Sequence, residues 1–104
     1  MKMWVDDVRD PPASFDTWET GDRTKGFCIV RSSGQAIACL ESFRESGIEM
    51  EAISLDHDLG GEDTTRPIVL WMIEHNYWPK RIYVHTSNPV GREWLEGMIN
   101  RYRP

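Results

Sequence analysis

Four short apolar runs, residues 3–5, 27–30, 52–55 and 81–84, recur along the chain, and each of the last three is followed by a stretch with helical period. That alternation constrains the fold more than any other feature. After the second run, Ala36, Ile37, Cys39, Leu40 and Phe43 form one apolar stripe of a helix predicted over about residues 34–45. Ser32 and Ser33 offer its N-cap, and Gly47 ends it. After the third run, residues 67–75 predict a helix whose segment 68–73 is apolar on nearly every side, with Pro67 in the first turn where its missing N–H costs nothing. After the fourth, Asn88 and Pro89 open a helix that continues through Trp94, Leu95 and Met98.

Strands alternating with helices pair in parallel, because each helix carries the chain back to the edge where the last strand began. The expected fold is therefore α/β, a three-layer, flavodoxin-like parallel sheet with helices on its faces. With right-handed crossovers, four strands in the order 2-1-3-4 put strands 1 and 3 side by side at the topological switch point. The connection over residues 8–25 is the exception to the pattern. It contains Pro11, Pro12 and Gly21 and has no sustained period, so it reads as a long loop that folds over a pocket, with Trp18 nominated to cover that pocket or a base.

The 104 residues suit one domain with a single core. A net charge of −5 argues against bulk binding to duplex nucleic acid. No apolar run approaches the roughly 18–20 residues that span a bilayer, and the N-terminus lacks a secretion pattern, so a cytoplasmic protein without membrane attachment is expected. Cys28 and Cys39, with no metal-ligand spacing near either, read as reduced cysteines of the core.

The chemistry is concentrated where the apolar runs stop. Asp6 and Asp7 follow the first run, Asp56, His57 and Asp58 the third, and His85 the fourth. In a parallel sheet these positions lie side by side, and ligands bind outside the carboxyl ends of the strands. Carboxylates gathered there repel, and a divalent cation or a raised pKa relieves them. Asp6, Asp7 and Asp56 are the expected metal ligands, with Mg²⁺ or Mn²⁺ preferred by oxygen donors. His57 and His85 would divide base and acid roles, with Asp58 beside them. The histidines would alternatively be ligands themselves together with Asp58, which favours Mn²⁺, Zn²⁺ or Fe²⁺. Arg9, Arg66 and Arg92 flank the three loops, and a guanidinium matches two phosphate oxygens at once. Ser87 and Asn88 stand at the start of the last helix, whose free N–H groups favour an anion.

Plainer readings apply to single residues. Asp6-Asp7 taken alone suits a solvated turn, Glu62 and Asp63 read as loop solubilisers, and His75 reads as a helix C-terminal histidine. Asn88 is first of all a cap, and each arginine also suits a surface ion pair.

Adjacent acids after strand 1, an Asp after strand 3 and a hydroxyl residue after strand 4 (Thr86 or Ser87) resemble the phosphoacceptor site of receiver domains. That resemblance implies Mg²⁺ held by the paired acids and phosphate accepted by Asp56. The chain departs from it in lacking a fifth strand with a phosphate-contacting Lys, so the sheet is truncated relative to a five-stranded receiver. A closer likeness spans nearly the whole chain. The motifs Asp-Asp-Val-Arg-Asp-Pro over residues 6–11, Ile-Ser-Leu-Asp-His-Asp-Leu-Gly over 53–60 and Val-His-Thr-Ser-Asn-Pro-Val-Gly over 84–91 resemble the receiver-like family that processes cyclic phosphates. The resemblance implies a cyclic phosphodiesterase or related phosphoesterase, acting on a cyclic nucleotide or an RNA terminal cyclic phosphate. A noncatalytic module that captures a nucleotide, and a degenerate receiver that signals through Asp56, are the alternatives.

Overall fold

The computed structural model describes residues 1–13 and 26–104. Four strands, β1 (Lys2–Val5), β2 (Phe27–Val30), β3 (Ala52–Leu55) and β4 (Arg81–Val84), alternate with three helices, α1 (Ser33–Glu45), α2 (Arg66–His75) and α3 (Pro89–Tyr102). The strands form one sheet in the order β2-β1-β3-β4, and every pair in it is parallel. This is the expected α/β, receiver-like arrangement, with strands 1 and 3 adjacent at its centre.

The helix boundaries follow from local chemistry. Ser32 caps α1 by accepting from the Gln35 N–H, and Gly47, at φ +70°, takes the left-handed turn that closes it. Asp63, expected only to solubilise a loop, instead accepts from the Ser33 N–H (2.9 Å) and the Ser33 hydroxyl, which ties the start of α1 to the loop after β3. Pro67 lies in the first turn of α2, and Asn76, at φ +48°, ends that helix. His75 in its last turn bonds the Trp71 carbonyl oxygen and stacks on the Trp71 ring, as a helix C-terminal histidine should. The Asn88 side chain accepts from the Gly91 N–H and starts α3.

Side chains alternate across a sheet, and here the alternation sorts residues between two chemically different faces. Met3, Val5, Val30, Ile53 and Leu55 share a core with Ala36, Leu40, Ile68, Val69, Met72, Leu95 and Ile99, so this face meets the helices. Burying one such side chain contributes about 1.5–3 kcal/mol. α1 touches α2 and α2 touches α3, a single row, because β2 to β3 and β3 to β4 are successive right-handed moves in one direction. The described helices thus account for one of the two outer layers expected. The other face carries Lys2, Trp4, Ala52 and Ser54, all buried. Helix α2 buries Ile68, Val69, Trp71 and Met72 but leaves Leu70 about half exposed, so its apolar circumference is not fully enclosed. Cys28 and Cys39 are free thiols packed against the core, and burial, helped by the neighbouring Cys39, pushes the Cys28 thiol up to about 11.

Residues 8–13 contain neither helix nor strand. The expectation that the rest of this connection folds over a pocket, with Trp18 as its cover, falls on residues 14–25 and lies outside the described residues.

Candidate active site at the strand ends

The hydrogen-bond ladder continues one residue past the strands. The Asp6 N–H donates to the Val30 carbonyl, Asp56 N–H to Val5 and His85 N–H to Leu55. Asp6, Asp56 and His85 therefore stand at one level on adjacent strands, in phase with Trp4 and Ser54 and on the face away from the helices. One ligand atom from each lies within 4.8 Å of the others. Those distances suit a single divalent ion, and two carboxylates with one imidazole make a donor set that suits Mn²⁺ or Zn²⁺ better than Mg²⁺.

Asp6 is fully buried and organises this side. One carboxylate oxygen accepts from the N–H groups of Val8 (3.0 Å) and Arg9 (2.8 Å), and the other accepts from Arg9 Nε (3.2 Å) and faces His85 Nε2 (3.1 Å). Burial pushes its pKa up, but the Arg9 and Val8 amides, His85 and the Arg9 charge together hold it below the usual carboxylate range. His85 lies flat on Trp4, with centroids 3.9 Å apart and planes 9° from parallel, and its Nδ1 is 2.7 Å from Ser54 Oγ. Burial is the largest influence on its pKa and lowers it, against the opposing pull of Asp6 and Asp56, so the ring is neutral near pH 7. Ionised Asp6 only accepts, so the neutral ring carries its proton on Nε2 and donates it to Asp6, while Nδ1 accepts from the Ser54 hydroxyl. The order Asp6, His85, Ser54 resembles an acyl-transfer triad, but Ser54 is 1% exposed and no substrate carbonyl reaches it.

The second histidine belongs elsewhere. His57 follows Asp56 directly, so its side chain leaves β3 on the opposite face, beneath α3. Its Nε2 accepts from Arg66 Nε (2.9 Å), which places the proton of the neutral ring on Nδ1, 3.1 Å from Asp58 Oδ1. The other Asp58 oxygen accepts from Asn88 Nδ2 (3.0 Å), and Asn88 Oδ1 accepts from the Gly91 N–H (3.0 Å). Bonds from Asn88 and then His57 hold the Asp58 carboxyl below the ordinary range. A Cβ on Gly91 would lie 2.3 Å from His57 Cγ, so the first turn of α3 rests on the imidazole through a residue that must lack a side chain. His57 is 5% exposed with both ring nitrogens engaged. His57 and His85, expected to share one centre, are placed apart: just past β3, Asp56 and His57 turn to opposite sides, and of the two histidines it is His85 that lies beside Asp6 and Asp56.

The remaining candidates divide in the same way. Arg9 reaches over the acidic cluster, with Nη2 3.9 Å from Asp56 Oδ2 and donating to the His85 carbonyl. Asp7 is outside that cluster and turns toward Gly60, where its Oδ2 lies 3.3 Å from the position of an added Cβ. Arg66 lies over the Trp94 ring, 4.7 Å from its centroid. Arg92 pairs with Glu96 and donates to the Thr86 carbonyl, and Ser87 is exposed just before the Asn88 cap. Sequence reasoning missed Arg31, whose guanidinium donates to the carbonyls of Asp6 and Arg9 and pairs with Asp10. With the Trp4 indole N–H on the Arg9 carbonyl, it fixes the backbone that presents Asp6. Gly91, which closes the motif over residues 84–91, had no role of its own there, although a glycine inside a helix, about 1 kcal/mol worse than alanine, signals a close approach.

A family model described as the cyclic-phosphate processing receiver domain matches residues 1–101. The chain belongs to that family. No curated protein and no solved structure matches it. Within the family's receiver-like fold, the described residues end at α3 with no fifth strand, and Lys2 and Lys80 sit at the strand ends opposite the acidic cluster. No described lysine is therefore placed to contact a phosphoryl group on Asp56. No helix is long and apolar enough to cross a membrane among the described residues.

Proposed function

We propose that the face of the sheet bearing Asp6, Asp56 and His85 is a phosphoesterase centre that hydrolyses a cyclic phosphate on a nucleotide or RNA end with the help of a divalent cation. The observation that carries this reading is the in-register convergence of the three residues at the carboxyl ends of three parallel strands, roofed by Arg9. Membership of a cyclic-phosphate processing family supports it.

Opening a cyclic phosphodiester adds water at phosphorus, breaks one ring P–O bond and delivers a proton to the departing oxygen. The ion, when bound, neutralises charge on the phosphate and makes water a better nucleophile. Asp6 and Asp56 would hold it, and His85 would complete the donor set through Nε2, its proton then standing on Nδ1 and donated to Ser54, the outer-shell arrangement that fixes a ligating imidazole. Trp4 keeps the ring in that plane. Arg9, more than half exposed, reaches the phosphate oxygens. His57, closed into the Arg66–Asp58–Asn88 network, holds the other wall rather than moving protons.

The test is incubation of purified protein with Mg²⁺, Mn²⁺ or Zn²⁺ and a panel of 2′,3′- and 3′,5′-cyclic nucleotides. Conversion to the linear monophosphate, lost in Asp56→Asn and His85→Gln and with chelator, is expected. Tight binding with unchanged ligand recovered would replace hydrolysis with capture, and acetyl phosphate labelling of Asp56 would favour the receiver reading.

A further inference from the structure

The acidic cluster already has a cation of its own. Arg9 Nε is 3.2 Å from Asp6 Oδ2, and its Nη2 is 3.9 Å from Asp56 Oδ2 and 3.1 Å from the His85 carbonyl oxygen. The guanidinium thus bears on the same two carboxylates that, with His85, could hold an ion. We propose that Arg9 and the divalent cation compete for these carboxylates, so that arrival of the ion displaces the guanidinium and frees it to contact the phosphate. This rests on the proposed cation site.

Two features make the exchange feasible. The backbone of Arg9 is anchored whatever its side chain does: its N–H donates to Asp6, and its carbonyl accepts from Trp4 and Arg31. The side chain, by contrast, is 57% exposed, and its hydrogen bond to Asp6 (3.2 Å) and its ion-pair contact with Asp56 (3.9 Å) are both longer than the 2.8 Å backbone bond that stays in place. A guanidinium spreads one positive charge over a plane, whereas a divalent ion concentrates two where ligand atoms converge, so the ion prevails when its concentration is sufficient. The displaced arginine remains tethered a few ångströms away as a fork that matches phosphate oxygens. The carboxylates therefore never stand uncompensated, and the phosphate contact appears only once the ion is in place.

The experiment is titration of wild type, Arg9→Gln and Arg92→Gln with Mn²⁺, followed by calorimetry and by the electron spin resonance of free Mn²⁺. Removing a competing charge-assisted hydrogen bond predicts binding at least about tenfold tighter in Arg9→Gln. Arg92→Gln removes the same charge from a side chain occupied with Glu96 and Thr86, and a change of under about threefold is expected. Equal or weaker binding in Arg9→Gln, with wild type still binding, overturns the competition and leaves the cation site standing. An equal gain in Arg92→Gln also overturns it, by making the effect one of net charge. Binding by neither wild type nor Arg9→Gln at millimolar Mn²⁺ overturns the cation site as well. If Arg9→Gln does not fold, the Arg9 Nε–H resonance of wild type is followed during addition of Zn²⁺. Faster exchange with water supports displacement, and an unchanged resonance while neighbours of Asp6 and Asp56 shift overturns it.

Discussion

His85 stands one residue past β4 and His57 two residues past the neighbouring β3, and their surroundings are opposites. His85 lies on the face away from the helices, one nitrogen donating to Asp6 and the other accepting from a hydroxyl that can turn to donate or accept. His57 is sealed between β3 and α3, its tautomer dictated by an arginine that only donates. A ring held by a carboxylate and a rotatable hydroxyl can move its proton to the other nitrogen when a cation takes the first, which suits a ligand; one locked between an arginine and a capped carboxylate suits architecture. The difference arises from strand parity alone.

The largest expected effect tests the architectural side. His57→Ala leaves Arg66 and Asp58 without their partner and a void beneath Gly91, and a loss of about 2–4 kcal/mol in urea unfolding is expected. The same alanine at His85, on the open side, should cost less. Gly91→Ala approaches the problem from the other direction. Its methyl meets the imidazole ring at 2.3 Å, and the forced shift should cost about 1–3 kcal/mol, with little effect on cation binding across the sheet.

Acid should also separate the two sides. His85 has a lowered folded pKa, so the unfolded chain binds its proton first; the stability this represents is complete above about pH 6.5 and is lost as pH falls through the folded value. Asp58, held low by Asn88 and His57, contributes stability present above about pH 4 and lost only below that. The urea midpoint should therefore fall between pH 7.5 and 5 more in wild type than in His85→Gln, whereas Asp58→Asn should keep the wild-type slope in that interval. Matching slopes in wild type and His85→Gln would remove the electrostatic half of the comparison.

Much of this was legible in the sequence because its signals are local. The bounds of β2, β3 and β4 coincide with apolar runs, and Ser32, Gly47, Pro67 and Asn88 mark helix ends by their own conformational preferences. Convergence of Asp6, Asp56 and His85 followed from topology. The division of the histidines was available too, since Asp56 and His57 are consecutive and strand side chains alternate, but treating the motif as one unit concealed it. Arg31 and Asp63 had no local signal. Their roles depend on partners from 21 to 30 residues away, which only the folded chain brings within reach. Asp63→Ala, outside both histidine clusters, sets the small end of the scale, with a loss of roughly 1 kcal/mol and no change at either histidine.

The most direct measurement is a paired Mn²⁺ titration of His85→Gln and His57→Gln, with the folded fraction of each fixed by circular dichroism. The account predicts at least about tenfold weaker binding in His85→Gln, because a ligand is lost, and near wild-type affinity in folded His57→Gln. Loss of binding in His57→Gln with retention in His85→Gln would contradict it, and would put the ion on the helix side of the sheet.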